Sequence, residues 1–199
     1  MFRVSRITAC CVATVLVLGA ADVALAEGEN NILLGIWGAA DDETTAFAGA
    51  VDYERHINDK ISVLGRVAFL SYDWDDDENE EDGDGVGVEG GVRFYTSGDS
   101  RGFYIGGNLG YWDTDWDFID DVGTGFEVRG SGSSQSVVAT FDLGYRFQLG
   151  ESFTIIPNAR LGNYFAVSDD CTLNTGGSCA RETELGVYAA AGVYFGFTF

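Results

Sequence analysis

The feature that most constrains this chain is a two-residue alternation of apolar with small or polar side chains. The final stretch shows it most plainly. From Leu185 to Phe199 the odd positions read Leu, Val, Ala, Ala, Val, Phe, Phe, Phe, and the even positions between them read Gly, Tyr, Ala, Gly, Tyr, Gly, Thr. Successive side chains of a strand point to opposite faces, so this pattern makes a strand with one greasy side; on a helix the same residues would be smeared around the axis. The pattern recurs upstream. Val137, Ala139, Phe141, Leu143, Tyr145 and Phe147 alternate with Thr140, Asp142, Gly144, Arg146 and Gln148. Phe153, Ile155, Ala159, Leu161, Phe165 and Val167 alternate with Thr154, Asn158, Arg160 and Tyr164. Shorter versions surround Asp52 and Glu54, Arg66, Glu89 and Arg93, and Asn108. NILLGIWGAA is a further strand whose facing the pattern leaves open, because apolar residues fall on both parities.

These segments predict eight strands of about ten residues each. Short links (INDK, SGDSR and the region of Gly150-Glu151) alternate with longer polar ones: DDETT, Asp73–Asp84, Asp113–Ser134 and Asp169–Arg181. An even number of strands, with short turns at one end and long loops at the other, is the pattern of an antiparallel up-and-down transmembrane β-barrel. A tilted strand crosses a bilayer in roughly 9–11 residues. A soluble barrel shares the alternation but turns its greasy face inward. The glycines favour the membrane version. The chain has 28 Gly and 1 Pro, and Gly91, Gly106, Gly110, Gly144, Gly162, Gly186, Gly192 and Gly196 share the polar face. A narrow eight-stranded interior needs small residues beside large ones. Phe and Tyr gather near the strand ends of the apolar face, where aromatic girdles meet the membrane interfaces.

The first 26 residues read as a cleaved signal peptide, with Arg3 and Arg6 ahead of an apolar run Ile7–Ala21 and a small-x-small site Ala24-Leu25-Ala26. A retained anchor is the alternative, but the run is shorter than the roughly 20 residues of a spanning helix. Cys10 and Cys11 leave with the signal. Residues 27–199 then form one barrel domain. Cys171 and Cys179 remain, flanking a Gly- and Ser-rich stretch in an exported chain. A disulfide is the expected pairing there; a metal pair would want a further His or Cys nearby.

Taken with the terminal Phe195, Phe197 and Phe199 on one face, the chain resembles the small eight-stranded bacterial outer-membrane β-barrel superfamily, which includes the outer-membrane protein A transmembrane domain and the OmpX/Ail-type barrels. The resemblance implies a Gram-negative outer-membrane location, outer-membrane lipids and lipopolysaccharide as surroundings, and recognition of the strand ending at Phe199 by the barrel-assembly machinery. It also implies display of loops toward a host or cell-surface partner.

A closed barrel in lipid must satisfy its interior side chains by itself. The inward face carries Asp52, Glu54, Glu89, Asp142 and Glu184 against Arg66, Arg93, Arg146 and Arg160. Because an unpaired buried charge costs several kcal/mol, these residues predict a paired network and a plugged or gated lumen. The net charge of −21 excludes nucleic acid as a partner, since phosphate binding needs a cationic surface. The acidic tract DWDDDENEEDGD reads as an external loop. Asp75, Asp77, Glu80 and Asp82 are candidates for diffuse divalent-cation binding, although Glu78 stands where a calcium loop needs Gly. The Trp–Asp segment Tyr111–Asp121 reads either as strands extending beyond the membrane or as part of the interface belt. His56 lies beside the INDK turn with Ser62 and Glu54 near in sequence but without a nucleophile motif. It reads as an interfacial residue. No cofactor motif is present. Three roles follow in order: a structural or surface-interaction barrel without enzymatic activity, a narrow porin-like channel, and a lipid A-modifying enzyme.

Overall fold

The computed structural model describes residues 29–40, 43–76, 78–98, 101–121, 127–179 and 186–199. The signal segment, Cys10, Cys11, Asp77 and Glu184 lie outside the described residues. Eight strands follow in order: β1 Asn30–Ala40, β2 Thr44–Asn58, β3 Ile61–Asp75, β4 Glu80–Tyr95, β5 Gly102–Asp120, β6 Val128–Leu149, β7 Phe153–Leu173 and β8 Gly186–Thr198. Each pairs antiparallel with the next, and β8 returns to β1, so the sheet closes into a barrel. Asn30 and Phe199 exchange backbone hydrogen bonds at 3.1 and 2.9 Å, which seals the last rung of that seam. Among the described residues every strand thereby pairs with a neighbour on both sides, as lipid requires because it offers no hydrogen-bond partners.

The apolar parity points outward. Leu109, Val187, Leu161, Phe69 and Phe197 are all more than half exposed. The fully buried side chains are instead led by Arg66, Arg93, Arg160, Tyr104 and Tyr194. The barrel is therefore inside out relative to a soluble one. The open facing of β1 resolves as well: Ile32, Leu34 and Ile36 look outward, and Leu33 and Trp37 look inward.

The strands depart from the expected uniform ten residues. β1 has 11, whereas β5, β6 and β7 have 19, 22 and 21. Two of the expected long loops, Asp73–Asp84 and Asp113–Ser134, are largely strand among the described residues. Asp73–Asp75 closes β3, and Glu80 opens β4, so the acidic tract is a tight hairpin tip rather than a loop. The Asp76 carboxylate makes the turn by accepting from the Glu78 and Asn79 amides, both at 2.7 Å. Those bonds, led by the one from Glu78, hold its carboxyl below the usual carboxylate range. Likewise, β5 and β6 continue past the membrane belt as a paired ribbon up to Asp120 and Val128. Polar side chains do not stop a strand whose neighbour is already in register; they stop only its stay in lipid.

Glycine and bulk are matched across the interior. Gly35 faces Tyr194, Gly87 faces Trp112, Gly132 faces Trp116, Gly144 faces Tyr104 and Gly162 faces Tyr188, each directly opposite in register. A Cβ built at Gly144 would lie 2.5 Å from the Tyr104 ring, so the ring occupies the volume that the glycine leaves open.

Candidate functional site: a charged plug beneath an aromatic cup

The centre of the barrel is filled by charge. Asp52, Arg66 and Glu89 lie opposite one another on β2, β3 and β4. Arg66 grips both oxygens of Asp52 at 2.7 Å and reaches Glu89 at 2.9 Å. On the other side, Arg160 of β7 bonds its neighbour Asp142 of β6 at 3.0 Å and crosses to Glu89 of β4 at 2.7 Å. Arg146 of β6 meets Glu54 of β2 at 3.0 Å, joining strands diametrically opposite in an eight-membered ring. Arg93 lies 3.3 Å from Glu54 and 3.4 Å from Asp52. Asn108 donates to Asp142 at 2.8 Å and to Thr140 at 2.9 Å, whereas the amide of Asn158 is buried without a hydrogen bond to this network.

The arginines also lie on aromatic faces. Arg160 is 4.9 Å from the Trp37 ring centre, Arg93 is 5.0 Å from that of Tyr104, and Arg66 is 5.2 Å from that of Tyr194. Such contacts strengthen as water is removed. Among the described residues, four buried guanidiniums and four buried carboxylates thus balance in the plug. The physical reason is that any excess charge would stay unpaired where solvation is lost.

His56 belongs to the lower end of this network rather than to the interface. It is buried, and its Nε2 faces the Asn31 amide nitrogen and the Arg146 guanidinium, each at 2.9 Å. Both neighbours are donors, which assigns Nε2 as acceptor and leaves the ring neutral. Ser62 lies opposite His56 in register, yet its hydroxyl donates to Glu54 at 2.5 Å. The serine proton is therefore directed away from the histidine, and the serine–base bond that nucleophilic catalysis uses is not formed.

Above the plug the lumen opens into a cavity of about 640 Å³ at the end bearing the extended strands. All four tryptophans of the chain line it: Trp37, Trp74, Trp112 and Trp116. Trp112 and Trp116 are buried, so they face the lumen rather than forming an interface belt. Trp37 and Trp112 make the floor, the first stacked on Arg66 and Arg160, the second donating from Nε1 to Glu89 at 3.2 Å. Tyr72, Tyr164 and Tyr188 add to the wall. Glu81 and Asp169 supply its carboxylates, and the Tyr72 hydroxyl fixes Glu81 with a 2.7 Å bond. The sequence signal for this cup was the even parity shared by Trp112, Thr114 and Trp116 on β5.

Outside the cup, on the outward face beyond the apolar belt, Asp73, Asp82 and Asp117 stand side by side on β3, β4 and β5, and Asp84 stands beside Asp115. Partial burial and the charges of Asp117, Asp73 and Asp84 push the Asp82 carboxyl up. Of the cation candidates, Asp75 and Glu80 face each other across this hairpin, and Asp82 follows on the same face. Among the described residues no group of three or more His, Cys, Asp or Glu is arranged to hold a metal ion. Cys171 and Cys179 are joined by a disulfide, with Cα atoms 5.1 Å apart, closing a loop at the end of β7.

Closed antiparallel sheet, apolar exterior and charged interior define the class of fold: a small eight-stranded β-barrel with the inside-out arrangement of a transmembrane one. No protein-family model matches the chain, and no curated protein matches it in sequence. Solved structures do. Ail, the attachment invasion locus protein of Yersinia pestis, matches at a TM-score of 0.54 and 15% identity, over 87% of this chain and 100% of that one. CarO2 of Acinetobacter baumannii matches at a TM-score of 0.54 and 13% identity, over 87% and 100%. A major outer membrane protein from Thermus thermophilus matches at 0.53 and 12%, over 84% and 99%. At such identities the shared property is the fold.

Proposed function

We propose that the protein is a plugged structural barrel of the outer membrane that presents acidic strand extensions to the cell exterior, without enzymatic activity. The observation that carries this reading is the pair of ion pairs spanning the lumen, Arg146–Glu54 and Arg160–Glu89. A solute crossing the barrel must break both, and each opened pair leaves charge unpaired at a cost of several kcal/mol. The directed Ser62–Glu54 bond supports the absence of hydrolytic chemistry at His56. The apolar belt supports lipid and lipopolysaccharide as its lateral surroundings, and in this reading the strand ending at Phe199 is what the assembly machinery would recognise.

The exterior surface selects its partners by charge. The Ail structure was solved in complex with the heparin analogue sucrose octasulfate. The carboxylate rows at Asp73, Asp82 and Asp117 repel such a polyanion, so this barrel suits a cationic host or cell-surface partner instead. The deciding experiment is planar-bilayer recording of the purified protein. The proposal expects no large, stable conductance. Steady unitary currents carried by small solutes would instead establish the narrow-channel reading.

A further inference from the structure

We propose that the outer half of the lumen is a binding cup for small organic cations carrying an apolar substituent, of the alkylammonium class. The inference goes beyond the plugged structural role and does not depend on the absence of conductance. The cavity, about 640 Å³, lies within the usual range of small-molecule sites, roughly 300–1,000 Å³. Its floor is the plug, so it is closed below and reached from the extended-strand end.

Its lining chemistry selects the ligand. Every tryptophan of the chain is spent on this one wall, and indole is the strongest cation–π partner among side chains. The protein already uses one of these indoles in this way, since the guanidinium of Arg160 lies 4.9 Å from the Trp37 ring centre. Glu81 and Asp169 face the same space, and no lysine or arginine is among the described lining residues. A neutral apolar guest would displace water from those carboxylates and return no interaction of its own; an anion would meet their charge head on. A cation with an apolar arm satisfies both kinds of wall. The carboxylate rows outside the mouth and the net charge of −21 raise the local concentration of cations at the entrance.

The test uses the full chain purified from outer membranes in a non-ionic detergent, with tryptophan fluorescence as the readout. Three probes share a six-carbon chain and carry a cationic, a neutral and an anionic head: hexyltrimethylammonium, 1-hexanol and hexanesulfonate. The proposal expects a saturable change with hexyltrimethylammonium, binding about tenfold or more tighter than 1-hexanol, and no saturable change with hexanesulfonate. Glu81→Gln should weaken the cation about fivefold, as loss of one nearby charge implies, and leave 1-hexanol unaltered. Trp74→Leu should weaken the cation as well, with heat-modifiable gel migration showing that each variant is folded. Equal binding of hexanol and the cation, or no saturable change with either, would overturn the proposal; this comparison needs no variant at all. Unchanged cation affinity in folded Glu81→Gln would overturn it too.

Discussion

Replacing Arg66 by Met removes a cation from the plug and leaves a shorter, unbranched apolar side chain in its place. Wild-type Arg66 makes two 2.7 Å bonds to Asp52 and one of 2.9 Å to Glu89. After Arg66→Met, Glu89 retains Arg160 at 2.7 Å, but Asp52 is left with only the longer contact to Arg93 at 3.4 Å. The plug then holds one more carboxylate than guanidinium. Breaking a buried pair by deleting one partner costs about 3–5 kcal/mol. With a urea slope of about 2 kcal/mol/M, the unfolding midpoint should fall by about 2 M. The informative companion is Arg66→Met with Asp52→Asn, which restores charge balance. It should recover about 2 kcal/mol relative to the sum of the single changes, within the coupling range of contacting residues. Urea unfolding followed by tryptophan emission, with gel migration as a check on closure, reads both quantities. If Arg66→Met costs less than about 1 kcal/mol, or if the double variant loses the plain sum of the singles, charge balance does not hold the lumen together.

Further outcomes test the remaining assignments. Leu109→Arg, on the lipid face, should cost about 2–4 kcal/mol if its site is near the bilayer midplane, whereas Asp117→Arg beyond the belt should cost almost nothing; comparable losses in urea melts would contradict the inside-out arrangement. Gly144→Ala should destabilise by about 1–3 kcal/mol because its methyl meets the buried Tyr104 ring, and Gly144→Ala with Tyr104→Leu should recover much of that in the same melts. Carboxyl NMR titration of the β3–β4 hairpin should place Asp82 above and Asp76 below a free aspartate. The raised Asp82 means that its charge opposes folding, so mild acidification tightens the tip. The lowered Asp76 means that its stabilising bonds are present above the ordinary aspartate range and are lost as the pH falls through its folded value, so strong acid loosens the tip. Reducing Cys171–Cys179 removes a short loop closure worth about 2–3 kcal/mol on the chain-entropy scale; faster proteolysis confined to the β7–β8 tip is the expected result, and global unfolding would show that the bond supports the barrel itself.

Sequence alternation alone determined which residues share a face. Period two is a local property of extended backbone, so Arg66, Arg93, Arg146 and Arg160 were assigned to one side of the sheet from the sequence, together with Asp52, Glu54, Glu89 and Asp142. What alternation does not carry is the curvature that brings strands far apart in sequence across a lumen. Arg146 and Glu54 are 92 positions apart, and their contact exists only because eight strands close on themselves. For the same reason the place of His56 in the network was invisible beside its turn. Strand length was also hidden, because Asp-rich segments read as loops until register with a neighbouring strand shows them paired. The tryptophans illustrate the division most clearly. Their parity is written in the chain, but the cup they form is a property of the closed ring, since Trp37, Trp74 and Trp112 lie on strands that only closure turns toward one space.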